Sequence, residues 1–278
     1  MIYPTVNILI LNWNGEDILN QCIESVFTTD YPNFKVTIID NGSSDNSINH
    51  VQKNYKDLKV IKLENNIGYS RGYNFAFNRL KNNDDEYYCL LNNDTLIKSD
   101  TISNLINGTR IFGKNNIYCP KILNYYNNHI WYAGGRINKI TRTANHIGLN
   151  EKDSITEFKS SETDFVSGCA FLINKKIINS LGGFDESYGF YYEDVDLCVR
   201  AKEFDVKSIY INNSLVYHKI SSSFGGRYSI KKIYYRLRST VKFLHKHNNI
   251  ILFSLYIFSN TILLPFTIIK KIIRIIIK

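Results

Sequence analysis

The sequence predicts an α/β protein: a mostly parallel sheet flanked by helices, followed by a C-terminal amphipathic helical extension. Three observations predict it. Short apolar runs alternate with stretches of helical periodicity through the first hundred residues, which is the pattern of βαβ units. Three of those runs end on clusters of Asn and Asp. Charge is also divided unevenly. Residues 1–205 hold 21 basic and all 25 acidic side chains, whereas residues 206–278 hold 13 basic side chains and no acidic one.

The 278 residues suffice for one large α/β domain with a substantial core, or for two small ones. A hydrophobic content of 44% and a charged content of 21% describe a folded chain. Residues 6–11 are a short apolar run between polar flanks and suit a buried strand. Leu19, Cys22, Ile23 and Val26 recur behind it at helical spacing. Residues 34–39 form a second strand that ends on Asp40, and NGSSDNS (41–47) is a loop rich in N-cap residues. Residues 58–63 make a third strand. NNIGYSRG (65–72) is a glycine-containing loop that leads into a helix ending near Leu80. Residues 87–91 make a fourth strand, ending on Asn92-Asn93-Asp94. From about 115 to 165 the pattern is less regular, and Gly134-Gly135 with polar clusters points to hairpins and loops. Residues 165–173 read as another strand, Glu193, Asp194 and Asp196 open a helix, and residues 208–217 form a strand followed by His218.

Parallel strands would bring Asn12 to Asn14, Asp40 and Asn92 to Asp94 to one sheet edge, where open α/β sheets bind ligands. Amides and a carboxylate there can read a base and a ribose. Asp94 suits a hard divalent cation that keeps phosphate oxygens in its shell. Helix capping and turn chemistry are the competing account of each position. The turn after the first strand, NWNGED, is no dinucleotide fingerprint, and no Gly-Lys-Ser/Thr loop occurs, which argues against a dehydrogenase and a P-loop enzyme. The five cysteines are odd in number, scattered and set in mostly apolar surroundings, which suits buried free thiols in a reducing compartment. The N-terminal MIYPTVNILILNW lacks a basic region and a cleavage site, so it reads as a first strand rather than a signal peptide.

Taken together, the motifs resemble family 2 glycosyltransferases with a GT-A (Rossmann-like) fold, and within them the rhamnosyltransferase-like group. They are Asn12-Trp13-Asn14, DNGSSD (40–45), NNIGYSRGYN (65–74), LLNNDT (90–95), VSGCAFLI (166–173) and GGFDESYGFYYEDVDLCVR (182–200), in order across most of the chain. The resemblance implies a nucleotide-sugar donor held by Asn12, Asn14, Asp40, Asn66, Gly68, Arg71, Asn92, Asn93 and Gly168. It implies Mg²⁺ or Mn²⁺ on Asp94, with His218 as a further ligand, and Asp194 of the Glu193-Asp194 pair as general base. Asn92 stands where the family carries the first Asp of an Asp-x-Asp motif, so one charge is missing. Trp131, Asp164 and Tyr192 are candidates for the acceptor side, Trp131 being equally suited to a core position. Asp194 and Asp196 also fit a helix N-terminus electrostatically, and a lone His218 would suit a packed or surface position. The implied reaction is inverting transfer of one sugar to a hydroxyl of a lipid-linked oligosaccharide or polysaccharide acceptor. No Gln-x-x-Arg-Trp motif or multi-span region suggests a processive polymerase. A nucleotidyltransferase would show a glycine-rich basic loop after the first strand. A non-catalytic sugar- or partner-binding module would not need the acid pair.

The expected division is a glycosyltransferase domain over 1–225, with a nucleotide-binding half (1–115) and an acceptor-binding half (116–225), then a membrane-associating segment over 226–278. Residues 228–247 are periodic as an amphipathic helix, with Lys231, Lys232, Arg236, Arg238, Lys242 and Lys246 on one arc. Ile230, Ile233, Tyr234, Leu237, Val241 and Leu244 fall on the other. Residues 250–269 carry no charge and are long enough to span a bilayer, but both flanks are basic. In-plane attachment to an anionic membrane surface at the cytoplasmic face, peripheral or monotopic, ranks above a span and above a soluble docking helix. With the basic residues beside an aliphatic surface and no nucleic-acid motif, a nucleic-acid partner is not expected.

Overall fold

The computed structural model describes residues 3–56, 58–139, 141–153, 158–219, 230–247 and 254. The first half runs β1 (Val6–Asn12), α1 (Leu19–Phe27), β2 (Phe34–Asp40), α2 (Ser47–Asn54), β3 (Lys59–Lys62), α3 (Tyr69–Leu80), β4 (Tyr87–Asn92), β5 (Thr95–Ile97) and α4 (Thr101–Phe112). The second runs β6 (Ile117–Asn124), β7 (Ile130–Tyr132), β8 (Gly135–Ile137), β9 (Ala144–His146), β10 (Ser161–Thr163), β11 (Ala170–Asn174), α5 (Lys175–Ser180), α6 (Glu193–Lys202), β12 (Ser208–His218) and α7 (Ile230–His247).

The main sheet is ordered β10-β12-β6-β11-β4-β1-β2-β3, with β5 on β12 and β7 on β6. β1 runs parallel to both neighbours, so Asn12 stands beside Asp40 and Leu11 beside Asn92. The expected strand ends therefore share one edge. β11 enters antiparallel between β4 and β6, which makes the sheet mixed beyond β4. Both halves of the 1–225 region thus contribute to one sheet. β8 and β9 form a separate hairpin, as the Gly134-Gly135 signal suggested.

Strands covered on both faces read as unbroken apolar runs. Val6, Ile8, Leu9 and Ile10 of β1 and Tyr87 to Leu91 of β4 are all buried. Each such aliphatic side chain contributes roughly 1.5–3 kcal/mol on burial. α1 buries Leu19, Cys22, Ile23 and Val26, the stripe its spacing predicts. The five cysteines are free and buried.

Three expectations change. The 115–165 region contains the long central strand β6, hidden in sequence by Pro120 and Lys121. Pro120 sits where the β6–β12 register shifts, a place that tolerates its missing N–H, and buried Lys121 pairs with Asp153 at 2.7 Å. Of residues 165–173, only 170–173 are strand, because Ser167 to Cys169 turn at the sheet edge. In α7, Tyr234 is exposed, while Ser239, Thr240, Phe243 and Leu244 are buried and Lys246 pairs with Asp185 and Asp196. Buried and half-buried carboxylates draw that lysine out of the outward arc. Among the described residues no helix is long and apolar enough to cross a membrane. The uncharged stretch 250–269 lies outside the described residues, apart from Ser254.

Candidate active site

The floor of the edge is an amide cluster. Asn12, at the end of β1, is fully buried. Its Nδ2 donates to Ser43 Oγ at 3.2 Å and Ser47 Oγ at 3.0 Å, and its Oδ1 accepts from Asn93 Nδ2 at 2.8 Å. These bonds occupy both ends of the amide, so Asn12 shapes the floor rather than reaching into the cleft. Gly15 closes over this pair. A Cβ there would stand 2.3 Å from Asn12 Oδ1 and 2.5 Å from Asn93 Nδ2, so only glycine fits. Asn14, in the left-handed region at φ 49°, donates its N–H to Ser43 Oγ and accepts from Ser44 N, clasping the 41–47 loop.

Asp40 ends β2 and is buried, and its Oδ1 accepts from Ser43 N at 3.0 Å. The neighbouring Asn41 joins this loop to the next one. Its Nδ2 donates to Asn66 Oδ1 at 3.1 Å and to Gly68 O at 3.2 Å, and its Oδ1 accepts from Ile67 N at 3.0 Å. Gly68 precedes α3 at φ 88° with open space where a Cβ would be. The Asn66 and Gly68 backbone is thereby held beside the end of β2. Arg71 is exposed and its Nε lies 3.6 Å from Glu186, which holds it on the outer rim.

Asp94, two residues beyond the strand end at Asn92, is brought together with His218. Asn92 N donates to Cys169 O at 2.9 Å, fastening β4 to the 167–169 turn. Asp94 Oδ2 is 3.3 Å from His218 Nε2, and both residues are buried. Burial works against a charged His218 ring, but Cys169 and Asp94 beside it outweigh that and raise its pKa to about 10. The pair sets an imidazole ring against a buried carboxylate. A divalent cation fits the same donors with the ring neutral. Among the described residues no cluster of three or more His, Cys, Asp or Glu donors forms. The half-buried Trp131 ring stands edge-to-face with His218 at 4.6 Å and with His146 at 4.6 Å, which puts it next to these donors.

The acid pair opens α6. Asp194 Oδ2 accepts from Gly168 N at 2.7 Å and Oδ1 from Val195 N at 2.8 Å. Glu193 Oε2 is buried without a hydrogen-bond partner. Burial raises both carboxyls, and the N–H groups of Gly168 and Val195 offset only part of this at Asp194, which stays raised. Glu193, pushed by burial and then by the charge on Asp194, reaches about 8. Burial and mutual repulsion therefore work against ionising both carboxyls at once. Tyr69 of α3 donates its hydroxyl to Gly168 O at 2.6 Å, so Gly168 is gripped from both sides.

Two acceptor candidates make local contacts with the β8–β9 hairpin. Asp164 is exposed and caps the β8 hairpin through Ile137 N at 2.8 Å. Tyr192 is buried, with its hydroxyl taking Ala144 N at 3.3 Å. Gly15, Asn41, Ser43, Ser47, Tyr69 and Cys169 were not singled out from sequence. Asn41 and Ser43 lie inside the DNGSSD block and were within reach of that signal. Gly15 and Tyr69 act only through partners distant in the chain.

A sheet that gathers amides and carboxylates at one edge, faced by an acid pair at the start of a helix, is a GT-A fold. The chain belongs to glycosyl transferase family 2, whose family model matches residues 7–182. An uncharacterized glycosyltransferase of Rickettsia typhi is 25% identical over 215 residues, which is 77% of this chain and 63% of that protein. The chain thus spans under two thirds of that relative. The poly-β-1,6-N-acetyl-D-glucosamine synthase of Staphylococcus epidermidis is 25% identical over 80% of this chain and 51% of its own. Among solved structures, GalNAc-T7 with UDP, GalNAc and Mn²⁺ aligns at a TM-score of 0.63 and 16% identity over 77% of this chain and 44% of its own. S. aureus TarS 1–349 in complex with UDP-GlcNAc aligns at 0.59 and 15% over 85% and 65%. At these identities the structures establish the fold alone.

Proposed function

We propose that the protein is an inverting glycosyltransferase. It moves a single sugar from a dTDP- or UDP-sugar, dTDP-rhamnose included, to a hydroxyl of a lipid-linked or cell-surface polysaccharide acceptor. One observation carries the reading. Gly168 N holds Asp194, and the next residue, Cys169, receives Asn92 N on its carbonyl. A half-buried carboxylate, the proposed base, is thereby tied, one residue away, to the strand end that would carry the diphosphate. UDP in the structures of GalNAc-T7 and TarS supports a nucleotide-sugar donor. The rhamnosyl candidate rests on the motif resemblance.

The residues divide the work. Asp40 and the loop held by Asn41 and Asn66 would receive the nucleoside, and Asn92 and Asn93 the ribose and phosphate side. Asp94 and His218 would hold Mg²⁺ or Mn²⁺, which when bound neutralises the leaving diphosphate. Asp194 accepts the acceptor hydroxyl's proton as the oxygen attacks the anomeric carbon. Burial and repulsion within the Glu193-Asp194 pair leave one of the two protonated and the other charged. A single in-line displacement needs one base, which fits one ionised carboxylate. Trp131 would offer an aromatic face to the acceptor beside His218.

The basic residues over 226–278 suit attachment to anionic lipid at the cytoplasmic face, peripheral or monotopic. The test is a thermal-shift titration of purified protein with UDP, dTDP, GDP and CMP, each with and without Mn²⁺. The reading expects one nucleotide to raise Tm in a metal-dependent manner. No rise with any of the four removes it.

A further inference from the structure

The loop before α6 holds a conformation that its own sequence does not favour. Tyr191 and Tyr192 both lie in the left-handed region, at φ 68° and 71°, immediately before Glu193. Each costs on the order of 1 kcal/mol for a bulky L-residue, and nothing in the dipeptide relieves it. The restraint comes from α7. Ser239 Oγ donates to Phe190 O at 2.5 Å. Phe190 packs on Tyr235 with ring centroids 5.6 Å apart, and Tyr192 packs on Phe243 at 5.0 Å. Lys242 stands over the Tyr188 ring at 5.1 Å.

The end of α7 then closes on α6 itself. Asp196, two residues beyond Asp194, is fully buried. Its Oδ1 meets His247 Nε2 at 2.6 Å and Lys246 Nζ at 2.8 Å. Its Oδ2 accepts from Arg200 Nε at 2.8 Å. Arg200 continues to the carbonyls of Leu181 and Gly183, at 2.8 Å each, which anchors the other end of the loop. Lys246 also pairs with Asp185 at 2.7 Å. A carboxylate serving only a helix dipole needs none of these partners. A buried carboxylate held by Lys246, Arg200 and the His247 ring is instead a clamp, and losing one partner is costly.

We propose that Asp196 is a positioning residue which, clamped by Lys246 and His247, makes the placement of Glu193 and Asp194 depend on the docking of α7. The proposal rests on the reading of Asp194 as base, and it gives the C-terminal helix a hold on the catalytic pair. Lys246 and His247 lie at the point where α7 leads into the basic, aliphatic C-terminal residues.

The experiment uses the full chain with Asp196→Asn, His247→Gln and Phe243→Ala, and Lys202→Ala on the exposed end of α6 as control. Two readouts are taken: hydrogen exchange of the 186–196 amides by mass spectrometry, and the kinetic constants for sugar transfer. The proposal expects faster exchange confined to 186–196, with β1 to β4 unchanged. It also expects kcat to fall about 10- to 100-fold while donor KM stays within about twofold. Exchange unchanged in His247→Gln and Phe243→Ala would overturn it, as would loss of protection throughout the sheet in all three variants. If Asp196→Asn fails to fold, the two milder variants decide. If the wild type transfers no sugar, faster local exchange still upholds the clamp, and it is the transferase reading that falls.

Discussion

Gly168 donates its backbone N–H to Asp194 Oδ2 at 2.7 Å, and on its other side takes the Tyr69 hydroxyl on its carbonyl at 2.6 Å. The position of the proposed base, Asp194, therefore depends on a residue with no side chain. A Cβ at 168 would stand 3.0 Å from Tyr69 Oη and 3.3 Å from Asp194 Oδ2. Gly168→Ala is expected to push on both and lower kcat about 10- to 100-fold, with little change in donor KM. Adding Tyr69→Phe removes the nearer contact and should recover part of the loss, at a cost of about 1 kcal/mol for the missing hydrogen bond. Kinetics of the single and double variants check this.

Asp194→Asn tests the base directly. The amide keeps the shape but cannot take a proton at neutral pH. Transfer should fall about 10²- to 10⁴-fold, while the thermal shift with nucleotide and Mn²⁺ is retained. Transfer at the wild-type rate would remove Asp194 from the mechanism.

Much of this arrangement was legible in sequence, for identifiable reasons. β1, β2 and β4 are covered on both faces, so they read as apolar runs, and their Asn and Asp ends stand out against those runs. β6 was not legible, because Lys121 looks like a surface residue until Asp153, thirty-two positions on, is seen beside it. Gly15 matters only because Asn12 meets Asn93 across eighty-one positions. Asp196 fits a helix N-terminus at the level of pattern, and its contact with His247, fifty-one positions away, carries no sequence signal. Local periodicity reports burial and strand ends, whereas a hydrogen-bond network closed by distant segments leaves no spacing to read.

Asp94→Asn and His218→Ala test the metal donors. Both should abolish the Mn²⁺-dependent part of the nucleotide-induced thermal shift, and EDTA should do the same to the wild type. At a hundredfold excess over Kd, a ligand of the folded state adds about 2.7 kcal/mol, so the effect is measurable. A shift that survives both substitutions would mean the cation, if bound, uses other ligands.

Glu193 gives the protein a pH-dependent weakness that runs opposite to that of an ordinary salt-bridged carboxylate. Burial, then Asp194, holds its pKa at about 8 in the folded chain, against about 4.3 when unfolded. Between those values the folded state keeps a proton that the unfolded state has released. Stability therefore falls as pH rises through that window, and the penalty is fully present only above about 8. The slope for one such group is at most about 1.4 kcal/mol per pH unit, and the partial exposure of Glu193 reduces it. Glu193→Gln removes the titration. Its Tm relative to wild type should be near zero or lowest at about pH 5, climb toward pH 8, and level off beyond. At about 2–4 °C per kcal/mol the difference is within reach of differential scanning fluorimetry. Parallel Tm curves for the two proteins across that range would show that Glu193 is ionised in the folded state, and would return the question of which carboxylate is the base to both members of the pair.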